Sequence, residues 1–187
     1  MFMRHFATAA MLLTSTHLFA QTIDAELSDK SARFNYATEA WGKQYGRVEV
    51  EGGVLFNNNS DYAVNVGMHV YNDSYDSPLE LGVGGRIYYA HIDNGSYNTA
   101  ALALGVKFHF APQALHGVGI GANYYYAPKI VTFMDADHFV EYGAKIDYQL
   151  MPQANVYLGY RRLRSDIEHV GYRDVQKGGF IGVQIRY

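Results

Sequence analysis

From Tyr62 to Val70 the side chains alternate without a break, with Tyr62, Val64, Val66, Met68 and Val70 on one side and Ala63, Asn65, Gly67 and His69 on the other. A period of two puts successive residues on opposite faces of a pleated strand, and a helix cannot gather either set into one stripe. The pattern then repeats. Leu79, Leu81, Val83, Ile87 and Tyr89 oppose Glu80, Gly82, Gly84, Arg86 and Tyr88, and Leu102, Leu104, Val106, Phe108 and Phe110 oppose Ala103, Gly105, Lys107 and His109. Further on, Val118, Ile120, Ala122 and Tyr124 alternate with Gly119, Gly121 and Asn123, and Val140 to Leu150 alternate with Glu141, Gly143, Lys145, Asp147 and Gln149. Val156, Leu158 and Tyr160 oppose Tyr157, Gly159 and Arg161, and the chain closes on Ile181, Val183, Ile185 and Tyr187 against Gly182, Gln184 and Arg186. Turn-forming clusters separate these runs at Asn57–Asp61, Asn72–Pro78, Asp93–Gly95, Pro112–Gln113 and Pro152–Gln153. With 17 Tyr and 19 Gly against 4 Pro in 187 residues, the composition agrees with an all-β chain of one domain.

The N-terminus reads as an address. Arg4 and His5 precede a largely apolar run from Ala7 to Phe19, and Ala20 before Gln21 is a small-residue cleavage point, which predicts a signal peptide over residues 1–20 and a mature domain over 21–187. The run is too short to cross a bilayer core of about 30 Å, and no later segment approaches eighteen uninterrupted apolar residues. Zero Cys removes a disulfide framework and a thiolate metal site, and a net charge of −3 gives no basic footprint for nucleic acid. Export without a spanning helix leaves two classes, a soluble secreted protein and an outer-membrane barrel.

The polar stripe decides between them. Gly67, Gly82, Gly84, Gly105, Gly119, Gly121, Gly143, Gly159 and Gly182 all fall on it, and small residues suit the crowded concave interior of a narrow barrel better than a solvated surface. The apolar stripe then faces lipid. Tyrosines grouped near strand ends, as in Tyr88–Tyr89 and Tyr124–Tyr126, suit an interfacial girdle. The expected fold is a small antiparallel transmembrane β-barrel in the Gram-negative outer membrane, with both termini periplasmic. Counting back from Tyr187, loops Ser165–Lys177, Ala127–Asp137, Asp93–Ser96 and Asn57–Asp61 are external, and Pro152–Gln153, Pro112–Gln113, Asn72–Pro78 and Glu39–Gln44 are periplasmic. Ile23, Ala25 and Leu27 alternate with Asp24 and Glu26 ahead of a Ser28–Ser31 turn, which makes ten strands; the alternative is eight, with this segment inside or below the barrel.

Several of these segments resemble the YfaZ family of bacterial outer-membrane proteins. They are Ile23 to Asp29, the strand Leu81-Gly82-Val83-Gly84-Gly85-Arg86-Ile87-Tyr88-Tyr89-Ala90, Tyr124 to Pro128, Asp135 to Asp137 and Tyr157 to Arg162. The resemblance runs through essentially the whole mature chain and implies location and fold, with no activity attached.

Three groups of residues carry the functional reading. Arg47, Arg86, Lys107, Lys145, Arg161 and Arg186 face Glu49, Glu51, Glu80, Glu141 and Asp147 on the inward stripe, and a balanced set in a narrow lumen is expected to close it with ion pairs and hydrogen bonds. A wide ion-selective pore needs a lining of one sign and more strands. At the rim, Asp135, Asp137 and His138, with Asp166, Glu168 and His169 in the next loop, form the one constellation suited to water activation or to a Ca²⁺ or Mg²⁺ bridge to lipopolysaccharide, and their spacing is that of ordinary polar loops. The third group is Ile181, Val183, Ile185 and Tyr187, an alternating strand with a terminal aromatic that resembles the signal read by the barrel-insertion machinery. The expectation is therefore a structural or narrow-channel barrel and not an enzyme, without cofactor or bound metal. Its partners would be outer-membrane lipid and lipopolysaccharide, the insertion machinery and periplasmic chaperones.

Overall fold

The computed structural model describes residues 21–43, 46–72 and 77–187. The expected signal peptide, and parts of the turns expected at Glu39–Gln44 and Asn72–Pro78, lie outside the described residues. Eleven strands follow in order: β1 (Gln21–Ser28), β2 (Ser31–Lys43), β3 (Gly46–Asn57), β4 (Tyr62–Tyr71), β5 (Leu79–Ile92), β6 (Tyr97–Phe110), β7 (Val118–Ala127), β8 (Thr132–Met134), β9 (Ala136–Met151), β10 (Ala154–Ile167) and β11 (Gly171–Arg186). Ten close a barrel. Each pairs antiparallel with its neighbours, β7 with β9 directly, and β8 is a three-residue flap on β6.

The first and last strands make the seam, in register from Thr22↔Arg186 to Ser28↔Phe180, and Gln21 and Tyr187 exchange backbone hydrogen bonds of 2.9 Å in both directions. The ten-strand count therefore holds, and the N-terminal segment is wall rather than plug. Its turn is built locally: the Ser28 hydroxyl accepts from the backbone N–H of Lys30 at 3.2 Å and of Ser31 at 3.0 Å.

Side-chain direction follows the alternation. Leu104, Val83 and Ile181 are 71%, 63% and 64% exposed on the outer wall, and their strand neighbours point into the barrel. An apolar belt exposed all the way round is stable only against lipid. The glycines are explained by what crosses them. Tyr71 lies opposite Gly82, Tyr125 opposite Gly105 and Tyr157 opposite Gly182, and a Cβ on Gly105 would stand 2.2 Å from the Tyr125 ring and one on Gly182 2.3 Å from that of Tyr157. Each inward ring lies flat over a missing side chain.

Four expectations need correction. The tyrosine clusters do not all belong to a girdle, because alternation splits them: Tyr89, Tyr124 and Tyr126 face out while Tyr88 and Tyr125 are buried inside. Ser165–Lys177 is not a long loop, since β10 runs to Ile167 and β11 resumes at Gly171. There the alternation carries apolar residues inward (Leu163, Ile167, Val175) and charged residues outward (Arg162, Arg164, Asp174), so the polar composition belongs to the outer face of a hairpin. Likewise Ala127–Asp137 contains a short 3-10 turn and β8, and the expected Glu39–Gln44 turn begins late because β2 continues to Lys43 past a bulge between Glu39 and Trp41.

Candidate functional site: the barrel interior

Glu141, on β9, is the centre of the interior. Its carboxylate, 1% exposed, accepts from Arg33 Nη1 at 3.0 Å, Arg86 Nη1 at 3.2 Å and the Tyr88 hydroxyl at 2.7 Å, and lies 3.4 Å from Arg161 Nε. A carboxylate facing three guanidiniums needs further anions around it, and two are present. Glu51 pairs with Arg86 and, at 2.6 Å, with Lys107, and Glu26 pairs with Arg161, whose second Nη donates at 2.8 Å. The Arg86 guanidinium also lies over the Tyr125 ring, 4.1 Å from its centroid, and the Tyr125 hydroxyl is 2.7 Å from His69 Nε2. These contacts form one continuous polar layer across the barrel.

Above that layer, away from the chain termini, the interior is largely apolar, with a buried hydroxyl pair, Thr99 and Ser165 at 2.8 Å, set among the apolar side chains. Leu55, Ala90, Ile92, Ala101, Phe139, Leu163, Ile167 and Val175 pack together, Phe139 at 0% exposure with its ring 4.5 Å from that of Tyr88. Below it, toward the termini, lies a cavity of about 380 Å³ lined by both signs of charge, including Arg47, Glu80, Lys107, His109, Lys145 and Arg186. Here pairing is partial: Arg47 meets Glu80 at 3.1 Å and His109 meets Asp147 at 2.9 Å, while Lys145 rests on the Tyr157 ring at 4.3 Å.

A family model described as YfaZ precursor matches residues 3–187. The chain belongs to the YfaZ family. A comparison with curated proteins finds no match. Among solved structures the chain is similar to a KdgM porin (10% identity, 90% of this chain and 99% of that one, TM-score 0.45) and to a NanC porin (10% identity, 91% and 99%, TM-score 0.44). It is also similar to the translocator domain of the autotransporter NalP from Neisseria meningitidis (10% identity, 98% and 94%, TM-score 0.38). This YfaZ chain is an outer-membrane β-barrel.

Of the lumen residues expected from the sequence, Glu51, Arg86, Lys107, Glu141 and Arg161 meet in the central layer, with Glu49 at its edge, 3.4 Å from Lys107. Arg47, Glu80, Lys145, Asp147 and Arg186 belong to the cavity end. Sequence reading missed Arg33, Glu26 and Asp24, although the β1–β2 alternation that puts Ile23 and Leu27 outward already puts Asp24 and Glu26 inward. It also missed the hydroxyls of Tyr88 and Tyr125, which adjoining aromatics disguise as interfacial.

The rim residues do not converge. Asp135 accepts from the Asn98 backbone N–H at 2.8 Å, Asp137 pairs with Lys129 at 2.7 Å, and His138 stacks on Tyr126 and lies 3.8 Å from Asp166. Asp137 raises the Lys129 ammonium above the usual lysine range through that hydrogen bond, with Glu168 3.9 Å away on the same amine. Inside the barrel, Glu49, Glu51 and His69 could present one ligand atom each within 4.8 Å of one another, but Lys107 and Arg86 already supply cations to both carboxylates.

Proposed function

We propose that this YfaZ barrel is a closed structural element of the outer membrane that does not conduct ions, with its termini in the periplasm and the β10–β11 turn outside the cell. The observation that carries the reading is the double filling of the interior, a layer of ion pairs around Glu141 beneath a largely apolar layer around Phe139. An ion entering from the cavity would need to displace buried ion pairs and then shed its water against Leu163, Ile167 and Phe139, and each step is costly. Purified protein in planar bilayers should therefore be electrically silent, and steady single-channel currents would overturn the reading.

The second reading, a narrow solute channel, draws on the charged cavity at the terminal end. It requires neutralisation of Arg86 or Glu80 to change a measurable conductance, and a silent wild type removes it. A catalytic role for Asp135, Asp137 and His138 is not proposed, since each is bound to a different partner. The alternating strand Ile181–Tyr187 supports delivery by periplasmic chaperones to the barrel-insertion machinery.

A further inference from the structure

The outer wall carries one charged patch that barrel closure does not use. Arg162, Arg164 and Lys177 face outward together on the β10–β11 hairpin, immediately beyond the apolar belt residues Leu158, Tyr160 and Ile181. Strand pairing sets Arg162 opposite Lys177 and Arg164 opposite Asp174. A bulge between them turns both Val175 and Gln176 inward and so brings Asp174 onto the outer face. Asp174 then holds both guanidiniums: Arg162 donates to its two oxygens at 2.8 Å each, and Arg164 donates to Oδ1 at 3.2 Å while stacking on Tyr172 at 4.6 Å. A guanidinium has five N–H donors, so most remain available after these contacts. Lys177 adds a third positive charge, and Asp166, further along the same face of β10, lies 3.8 Å from His138.

Protection of a sheet edge does not account for the cluster, because β10 is paired along its whole length with β9 and β11. Position does account for it. A side chain just past the end of a lipid-facing belt stands at the headgroup level, where phosphates are the abundant anions. We propose that Arg162, Arg164 and Lys177, pre-oriented by Asp174, bind a phosphate of an anionic glycolipid headgroup in the outer leaflet, with Tyr172 and Tyr142 flanking the site. The leaflet named here rests on the orientation proposed above; the chemistry of the site does not.

The test is native mass spectrometry of the detergent-solubilised barrel titrated with bisphosphorylated lipid A, fully dephosphorylated lipid A, and inorganic phosphate as competitor. Wild type should bind the bisphosphorylated lipid about tenfold more tightly than R162Q/R164Q/K177Q, and the dephosphorylated lipid should bind wild type no better than that variant. Because the three side chains point away from the interior, the variant should keep heat-modifiable migration; were it to misfold, the comparison of the two lipids on wild type still decides. Equal binding of both lipids, or unchanged binding by a folded variant, overturns the site. Full displacement by millimolar inorganic phosphate would also overturn it, in favour of a free-anion site. If an epitope tag at Glu168 proves periplasmic while lipid binding persists, the orientation fails and the phosphate site stands.

Discussion

Glu141 shows how a charge survives in the middle of a membrane protein. Three arginines, from β2, β5 and β10, converge on one buried carboxylate, so the pairings are mutually dependent. Glu141→Gln keeps the shape and leaves the guanidiniums short of a counter-charge, and the expected loss is about 3–5 kcal/mol in the urea unfolding of the refolded barrel. Tyr88→Phe removes only the 2.7 Å hydrogen bond to the same carboxylate and should lose about 1.5–3 kcal/mol, less than additively with the first change. A steric counterpart is Gly105→Ala. The added methyl meets the Tyr125 ring at 2.2 Å and the Tyr124 carbonyl oxygen at 2.3 Å, the latter backbone that cannot swing away. A loss of about 1–3 kcal/mol is expected by the same assay. A Gly105→Ala barrel as stable as wild type would mean that the ring does not need the notch.

Strand β11 combines two constraints. Its lower half must pair with β1 and β10 in one register, because a slip of one residue would turn Gln184 and Arg186 toward lipid and Val183 and Ile185 inward. Deleting Tyr187 together with Ile185→Asp should therefore cause periplasmic accumulation or degradation of unfolded chain. Normal amounts of heat-modifiable barrel in outer-membrane fractions would refute the signal reading. Its upper half leads into the turn at Glu168, and a tag there should be reached by antibody on intact cells; labelling only after permeabilisation would invert the barrel. Strand identity was plain in the sequence wherever one face was uniformly apolar, as in β4 and β6. It failed at β10–β11 beyond Arg161, where the apolar residues change from the lipid face to the inner face and charged residues sit outside. An alternation that puts its apolar residues inside and its charged residues outside reads as a loop when only the composition is weighed. In the interior, the central ion pairs were legible from inward charges on β3, β5, β6, β9 and β10, whereas Arg33 and Glu26 escaped because the N-terminal segment could also be read as lying inside or below the barrel, where its alternation assigns no lumen face.

On the closed reading proposed above, the whole barrel is a cup rather than a pipe, its cavity at the terminal end and its apolar filling at the other. Two layers of different chemistry give a graded expectation. Phe139→Ala thins only the apolar layer and should stay silent in planar bilayers, since the Glu141 layer remains below it. Phe139→Ala combined with Arg86→Ala and Glu141→Ala opens both, and the folded, heat-modifiable fraction of that variant should pass small ions. Conductance from Phe139→Ala alone would place the whole barrier in the apolar layer.

The reciprocal hydrogen bonds between Gln21 and Tyr187 mean that a chain cleaved after Ala20, as the sequence predicts, would be a ring lacking a single link. A linker of a few residues across that gap, with new ends cut at the tight Pro152–Gln153 turn, would preserve every ladder of the wall while making β9 the last strand and β10 the first. Such a circular permutant should refold in detergent to the same barrel. In cells it would separate closing the cylinder, which β11 does, from the assembly-signal role proposed for it.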